Sequence, residues 1–298
     1  MSTDLLHRFS FAGAPIRGQW VRLDEVLGEV CGRQPYPAVV RQLLGEMLAA
    51  VAMFADGIKF KGAVSLHCQG DGPLTMLMAE CRSQHLLRAI GRWDPQRAPV
   101  DPAAMNELLG NGQLAISLLS DPADGTGVSY QGLISLEQGD LAGNLEVYFA
   151  TSEQLPSRLL FASDSTSVTG LLLQRMPAPV DATEVEFDQH EALWEEVEVL
   201  VSTVTSAELC DLPADALLNR LFETYTLNLH PPRNLRFECT CNREKTVAAI
   251  LTLAASEVVE LLDSQGEITV TCEVCGHLYR YDRVDAHLLL EPGNPRIH

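Results

Sequence analysis

Lysine is nearly missing from this chain. Lys59, Lys61 and Lys245 are the only three in 298 residues, and Lys plus Arg total 21 against 40 Asp plus Glu, a formal charge of −19. Affinity for a phosphate backbone comes mainly from counterion release by Lys and Arg, so the charge argues against a nucleic-acid partner. An anionic membrane surface repels such a chain for the same reason. Long apolar runs are also absent: the longest, Met47 to Ala55, has nine residues, against about 20 for a membrane span. The first 22 residues carry an acid at Asp4 and no continuous apolar stretch. No signal peptide is therefore expected, and the expected location is cytoplasmic. Aromatics are sparse at 6 %, yet a hydrophobic fraction of 46 % is too high for a disordered chain. The eight histidines are dispersed and form no Ser/His/Asp or paired-carboxylate constellation, so no enzyme is expected. The glycine-rich segment Gln69-Gly-Asp-Gly-Pro73 lacks the Lys-Ser/Thr ending of a phosphate loop and reads as a tight turn, as does Gly110-Asn-Gly112.

What charge there is lies unevenly. Residues 1–180 carry 13 basic and 18 acidic side chains, residues 181–235 carry 2 and 12, and residues 236–298 carry 6 and 10. The acidic stretch is bounded by Met176-Pro-Ala-Pro-Val180 and His230-Pro-Pro-Arg233, both turn or linker signals. Three regions are expected: a core (1–180), an acidic helical linker (181–235) and a small cysteine-bearing tail (236–298). In the core, Pro37 to Phe54 has helical periodicity with a wide apolar face. Gly62–His67, Gln113–Leu119 and Gly127–Ile134 have strand character and are separated by glycine turns. Helices do not alternate strictly with strands, so the expected class is α+β with mostly antiparallel sheets. In the linker, Leu193, Val197, Leu200 and Val204 recur at helical spacing beside Trp194 and Val201, and a second helix follows Pro213 with Leu218, Leu221, Phe222 and Tyr225 on one face. The first of these helices is intrinsically weak. It is rich in β-branched residues between 197 and 204, and Glu195, Glu196 and Glu198 repel one another. It needs a surface to pack on.

Eight cysteines remain to be explained in a compartment that does not keep structural disulfides. Cys31, Cys68, Cys81 and Cys210 are scattered and read as small buried hydrophobes. The other four form Cys239-Thr-Cys241, 30 residues, then Cys272-Glu-Val-Cys275-Gly276. Two close pairs of thiolates match a tetrahedral all-cysteine zinc site. The second pair lies between strand-like runs, with Gly276 supplying the turn. Asn242 to Asp263 looks helical, with Val247, Ile250, Leu251, Val258, Leu261 and Leu262 available for a small core. His277 is expected to follow the next strand. Either pair can close locally into a disulfide once metal is lost, and zinc-bound Cys is already the thiolate that attacks oxidants. A tail of about 60 residues depends on its metal for stability.

With these residues in view, the sequence resembles the heat shock protein 33 family of redox-regulated chaperones. The likeness is carried by Phe237-Glu-Cys-Thr-Cys-Asn-Arg-Glu244 and Cys272-Glu-Val-Cys-Gly276. In the core it is carried by Leu66-His-Cys-Gln-Gly-Asp-Gly-Pro73, Leu109-Gly-Asn-Gly112, Tyr130-Gln-Gly132, Tyr148-Phe-Ala-Thr-Ser-Glu-Gln-Leu-Pro156 and Leu173-Gln-Arg-Met-Pro-Ala178. The resemblance implies a bacterial cytoplasmic holdase that works without ATP, with one zinc per chain on Cys239, Cys241, Cys272 and Cys275 in an inactive reduced form. It implies that oxidation pairs Cys239–Cys241 and Cys272–Cys275, that zinc is released, and that tail and linker unfold. It further implies that the active protein, a homodimer, binds unfolding clients and passes them to ATP-driven foldases after reduction. Helix weakness adds a physical reason: undocking exposes the Trp194, Val197, Leu200 and Val204 face as a client-binding surface, and the glutamates keep the open state soluble. Three other readings compete. A thiol oxidoreductase requires Cys272 and Cys275 at a helix N-terminus. A zinc-ribbon nucleic-acid binder requires a basic tail, whereas this one is net −4. A constitutive interaction module requires inert zinc.

Overall fold

The computed structural model describes residues 3–57, 62–83, 85–97, 104–120, 128–178 and 183–290. Two compact units divide the chain, Met1–Glu238 and Cys239–His298.

The first unit begins with a hairpin, β1 (Leu5–Phe11) and β2 (Ile16–Leu23), followed by α1 (Glu25–Cys31) and the long α2 (Ala38–Asp56). Strands β3 (Gly62–Gln69), β4 (Leu74–Arg82) and β5 (Leu86–Trp93) form a meander. After α3 (Met105–Leu109) come β6 (Gln113–Ser120) and β7 (Val128–Ser135), then α4 (Leu141–Tyr148), β8 (Ser157–Ser163) and β9 (Val168–Arg175). The linker supplies α5 (Glu184–Ser202), α6 (Ser206–Asp211) and α7 (Ala214–Phe222), then β10 (Leu227–Asn234) and β11 (Arg236–Phe237). These strands make a five-stranded sheet, β10-β1-β2-β9-β8, and a six-stranded sheet, β11-β5-β4-β3-β6-β7. Every pairing is antiparallel except β11 with β5. The unit is α+β with antiparallel sheets, as its sequence pattern suggests.

α2 lies between the two sheets, touching β2, β8 and β9 on one side and β3, β4 and β5 on the other. That position explains its composition. An 18-residue window has mean hydropathy 1.5, long and apolar enough to cross a membrane, but 72 % of the window is buried inside the protein. A helix that is apolar all round belongs in a core. Val40, Leu44, Met47, Leu48 and Val51 join Leu6, Val21, Leu66, Leu77 and Leu172 from the sheets in the inner core.

The five-stranded sheet has a second apolar face. Phe9, Phe11, Ile16, Trp20, Leu171 and Leu173 point outward and are covered by Trp194, Val197, Val201, Leu209, Leu217, Leu218, Leu221 and Phe222 of the three linker helices. β9 is therefore buried on both faces from Val168 to Gln174, which accounts for its run of adjacent leucines where a half-exposed strand alternates.

The turn reading of Gln69–Pro73 is correct, and close packing explains the glycines. A Cβ on Gly70 would stand 1.9 Å from the Leu109 carbonyl oxygen, and one on Gly72 would stand 2.2 Å from that of Leu108. Asp71 accepts from the Asn111 backbone and side-chain N–H groups at 2.9 and 3.1 Å, locking the two turns together.

Three local expectations are corrected. The linker has three helices, not two. His230-Pro-Pro-Arg233 is no linker but part of β10, paired with β1. Proline is tolerated there because β10 is an edge strand and its register shifts by one residue between the Leu6 and Arg8 pairings, so the missing N–H groups break no central ladder. Residues 236–237 belong to the six-stranded sheet rather than to the tail, since Phe237 pairs with Leu87. Pro179 and Val180, at the other expected boundary, and Gly127 lie outside the described residues.

The second unit contains α8 (Arg243–Ile250), α9 (Ala255–Gln265), the hairpin β12 (Ile268–Thr271)–β13 (Leu278–Tyr281) and α10 (Arg283–Leu290). The expected single helical stretch is thus two helices. Their apolar residues form the small core as expected: Val247, Ile250, Val258 and Leu262 are buried with Ile268 and Tyr281, and Leu251 and Leu261 pack partly against them.

Candidate metal centre and its linker

Cys239 and Cys241 lie in the extended stretch between β11 and α8, and Cys272 and Cys275 lie at the tip of the β12–β13 hairpin. The first pair is steadied from below. Asn242 caps α8 by accepting from the Lys245 N–H at 2.8 Å, and the Lys245 ammonium donates to the Thr240 carbonyl at 2.8 Å. The second pair is shaped by its turn. The Cys272 N–H donates to the His277 carbonyl at 2.9 Å and the Gly276 N–H to the Cys272 carbonyl at 2.7 Å. Gly276 has φ +68°, a left-handed conformation that favours glycine.

All four sulfurs lie within 4.8 Å of one another. The Cys239 and Cys272 sulfurs are 3.7 Å apart, and those of Cys241 and Cys275 3.4 Å. A tetrahedral zinc with Zn–S of about 2.3 Å needs sulfur–sulfur edges of about 3.8 Å, so the thiols fit such an ion. Their charge balance points the same way. Burial and the neighbouring thiols push Cys239 up to about 12. Burial also opposes ionisation of Cys241, but hydrogen bonds from Tyr279 and the other thiols outweigh it and bring this thiol down to about 7. Thiolates this close repel one another, and a divalent cation is the partner that offsets the repulsion. Among the described residues this is the only cluster of potential ligands. His277 is outside it, with its ring edge-on to Tyr279 at 4.5 Å.

The pair Cys272/Cys275 sits on a hairpin and not at a helix N-terminus, which removes the structural basis for a thioredoxin-like oxidoreductase. The other four cysteines are buried, as expected. Burial pushes Cys31 up to about 11 and Cys68 and Cys81 up to about 12, and raises Cys210. At neutral pH they are protonated and unreactive.

The residues expected to meet clients are covered in this state. Trp194 and Val197 are buried against the five-stranded sheet, whereas Leu200 and Val204 are partly buried. Val201 is 2 % exposed and completes the face with them, so the contact stripe is turned slightly from the one read in the sequence. The helix is also better anchored than its propensity suggests. Thr183 and Glu186 form a reciprocal capping box, the Thr183 hydroxyl accepting from the Glu186 N–H at 3.3 Å and the Glu186 carboxylate from the Thr183 N–H at 2.8 Å. Several acids of the linker are paired rather than free: Glu191 with Arg175, Glu198 with Arg158 at 3.0 Å, and Glu196 with the Tyr225 hydroxyl at 2.6 Å.

A helical layer docked over an antiparallel sheet is joined in sequence to a unit whose four clustered thiols could hold a metal ion. The family model described as Hsp33 protein matches residues 4–282. The chain is 38 % identical over 286 residues to a 33 kDa chaperonin of Nitrosococcus oceani, covering 96 % of this chain and 94 % of that one. It is 35 % identical over 289 residues to one of Shewanella sediminis, covering 97 % and 96 %. The chain belongs to the Hsp33 family of chaperones. In fold it is similar to the crystal structure of a 33 kDa chaperonin from Thermotoga maritima, with TM-score 0.78, 22 % identity, and 96 % and 97 % of the two chains covered.

Proposed function

We propose that this chaperone is a redox-regulated, ATP-independent holdase of the bacterial cytoplasm, held inactive while Cys239, Cys241, Cys272 and Cys275 carry one zinc ion. The observation that supports it best is the fit of four thiols to one tetrahedral ion in a unit whose own core is six buried residues. Such a unit is too small to hold its fold comfortably alone, and a structural zinc adds roughly 10–16 kcal/mol. When bound, zinc supplies charge neutralisation and cross-linking of the tail.

A thiolate attacks peroxide, breaking the O–O bond; the sulfur becomes a sulfenic acid and hydroxide leaves. The neighbouring thiol then attacks that sulfur, forming the S–S bond and releasing water. Two electrons pass from two sulfurs to one peroxide. With Cys239–Cys241 and Cys272–Cys275 paired in this way, the sulfurs no longer hold a cation and the tail loses its staple. The chain runs directly from Cys239 back through β11 and β10 to the linker, so disorder in the tail has a covalent route to α5–α7. Undocking uncovers Trp194, Val197, Leu200 and Val204 and the sheet beneath them, an apolar surface for unfolding clients. Dimerisation of the open form and handover of clients to ATP-driven foldases complete this reading.

The test follows bound zinc, hydrophobic-dye binding and suppression of client aggregation together through one cycle of peroxide and reductant. The three are expected to change together and reverse together. Zinc loss without a gain in suppression contradicts the switch and favours a constitutive zinc module.

A further inference from the structure

The cysteine site has a fifth polar member. The Tyr279 hydroxyl, carried on β13, donates to the Cys241 sulfur at 3.1 Å. It reaches across the unit: Tyr279 is 38 residues from Cys241, and its backbone is set by pairing with Val270 of β12. Its ring packs in a T-shaped pair with that of His277, the ring centres 4.5 Å apart. β13 is fixed at its other end by Tyr281, which is 1 % exposed and donates to the Arg243 carbonyl at 3.1 Å. The hydroxyl is therefore positioned by the hairpin, and it makes one of the four sulfurs unlike the rest.

We propose that Tyr279 is a positioning residue that sets the oxidant threshold of the cysteine site, holding Cys241 in place by its O–H···S bond and drawing electron density from that sulfur. Two effects follow from one hydrogen bond. Outer hydrogen bonds to metal ligands fix their orientation, and their loss typically lowers metal affinity roughly 10- to 100-fold. In the zinc-loaded form Cys241 is a thiolate with or without this bond, and a thiolate that shares its density with a proton is a poorer nucleophile toward peroxide than one that does not. Both effects make the reduced protein more resistant to oxidant when Tyr279 is present. This inference rests on the switch proposed above.

The test is Tyr279→Phe in the full chain, which keeps the ring against His277 and removes only the hydroxyl. Tyr279→Leu, which also removes the ring contact, reports how much of any effect is packing. Circular dichroism of the reduced, zinc-loaded proteins checks that both fold. Two rates are then measured: zinc transfer to a colorimetric chelator without oxidant, and loss of free thiols in dilute hydrogen peroxide. Y279F is expected to retain its fold, to give up zinc to the chelator roughly tenfold faster and to lose thiols about threefold faster or more. Wild-type rates in Y279F, or slower ones, overturn the role of the hydroxyl. An effect in Y279L that Y279F does not share assigns the residue to packing and overturns it equally. If the wild-type protein oxidises and releases zinc without gaining aggregation suppression, the switch fails while the tyrosine effect on the two rates stands, so the two failures are distinct.

Discussion

Replacing Trp194 by alanine perturbs the linker without touching the cysteine site. Trp194 is 4 % exposed and packs with Val197 and Val201 on the outer face of the five-stranded sheet. Truncating a buried Trp costs about 3–5 kcal/mol through lost burial and the cavity left behind. None of its packing partners in that layer belongs to the inner core around α2, so the cost falls first on docking of α5–α7. At about 1.4 kcal/mol per factor of ten, the undocked fraction rises by roughly two to more than three orders of magnitude. Hydrogen exchange in the reduced, zinc-loaded variant reads this directly, because a locally opening layer exchanges independently of the rest. Protection within residues 184–222 is expected to fall by about 100-fold or more, with protection in α2 and zinc content unchanged. Dye binding and aggregation suppression are expected to rise without oxidant. A loss of protection spread equally over α2, or no loss in 184–222, refutes the idea that the layer opens as a unit.

Other expectations concern the core. Glu46 on α2 is 7 % exposed and accepts from Gln42 at 2.9 Å; burial raises its carboxyl to about 7, with the Gln42 bond opposing and Asp140 adding. Because its folded value lies above the unfolded one, the native state holds an extra proton between about pH 4.5 and 7, and stability falls as pH rises through that window. Glu46→Gln is expected to flatten this slope in urea unfolding and to gain up to about 3 kcal/mol at pH 8, with little change at pH 4.5; a wild-type slope in E46Q counts against it. Gly72→Ala is expected to lower Tm, costing about 1–3 kcal/mol or more, since its Cβ meets the Leu108 carbonyl at 2.2 Å. Gly28→Ala on α1, whose Cβ meets nothing within 4 Å, is expected to be neutral or stabilising by under about 1 kcal/mol; equal Tm losses in the two variants contradict the packing argument.

The candidate metal centre was legible because its four cysteines come as two short-range pairs, and adjacency in sequence survives folding as adjacency in space. α2 was legible because burial on all sides imposes an apolar surface that no other local signal contradicts. Linker boundaries were less so. The Thr183/Glu186 and Thr205/Glu208 capping boxes that start α5 and α6 are short polar signals, easily overlooked beside the acidic charge around them. The choice between Val201 and Leu200 or Val204 as buried residues depends on a rotation of a fraction of a turn, which only the surface beneath the helix fixes. His230-Pro-Pro-Arg233 misled because proline marks a break only where an N–H is needed, and sequence does not show which strand is at an edge. Tyr279 was invisible as a partner of Cys241 because nothing local connects residues 38 apart.

The two apolar clusters of the first unit share strands but no residues. A protein with one core has no folded state left once that core is breached. Here β1, β2, β8 and β9 serve two layers, with α2 beneath and the linker helices above. Stripping the upper layer leaves a sheet still backed by α2, much as a wall keeps standing when its facing is removed. On the proposed undocking, the surface uncovered is expected to keep its β-ladder hydrogen bonds and its backing by α2. The proposed client surface is then expected to meet another protein's apolar segments without losing its own fold, because its inner face stays packed.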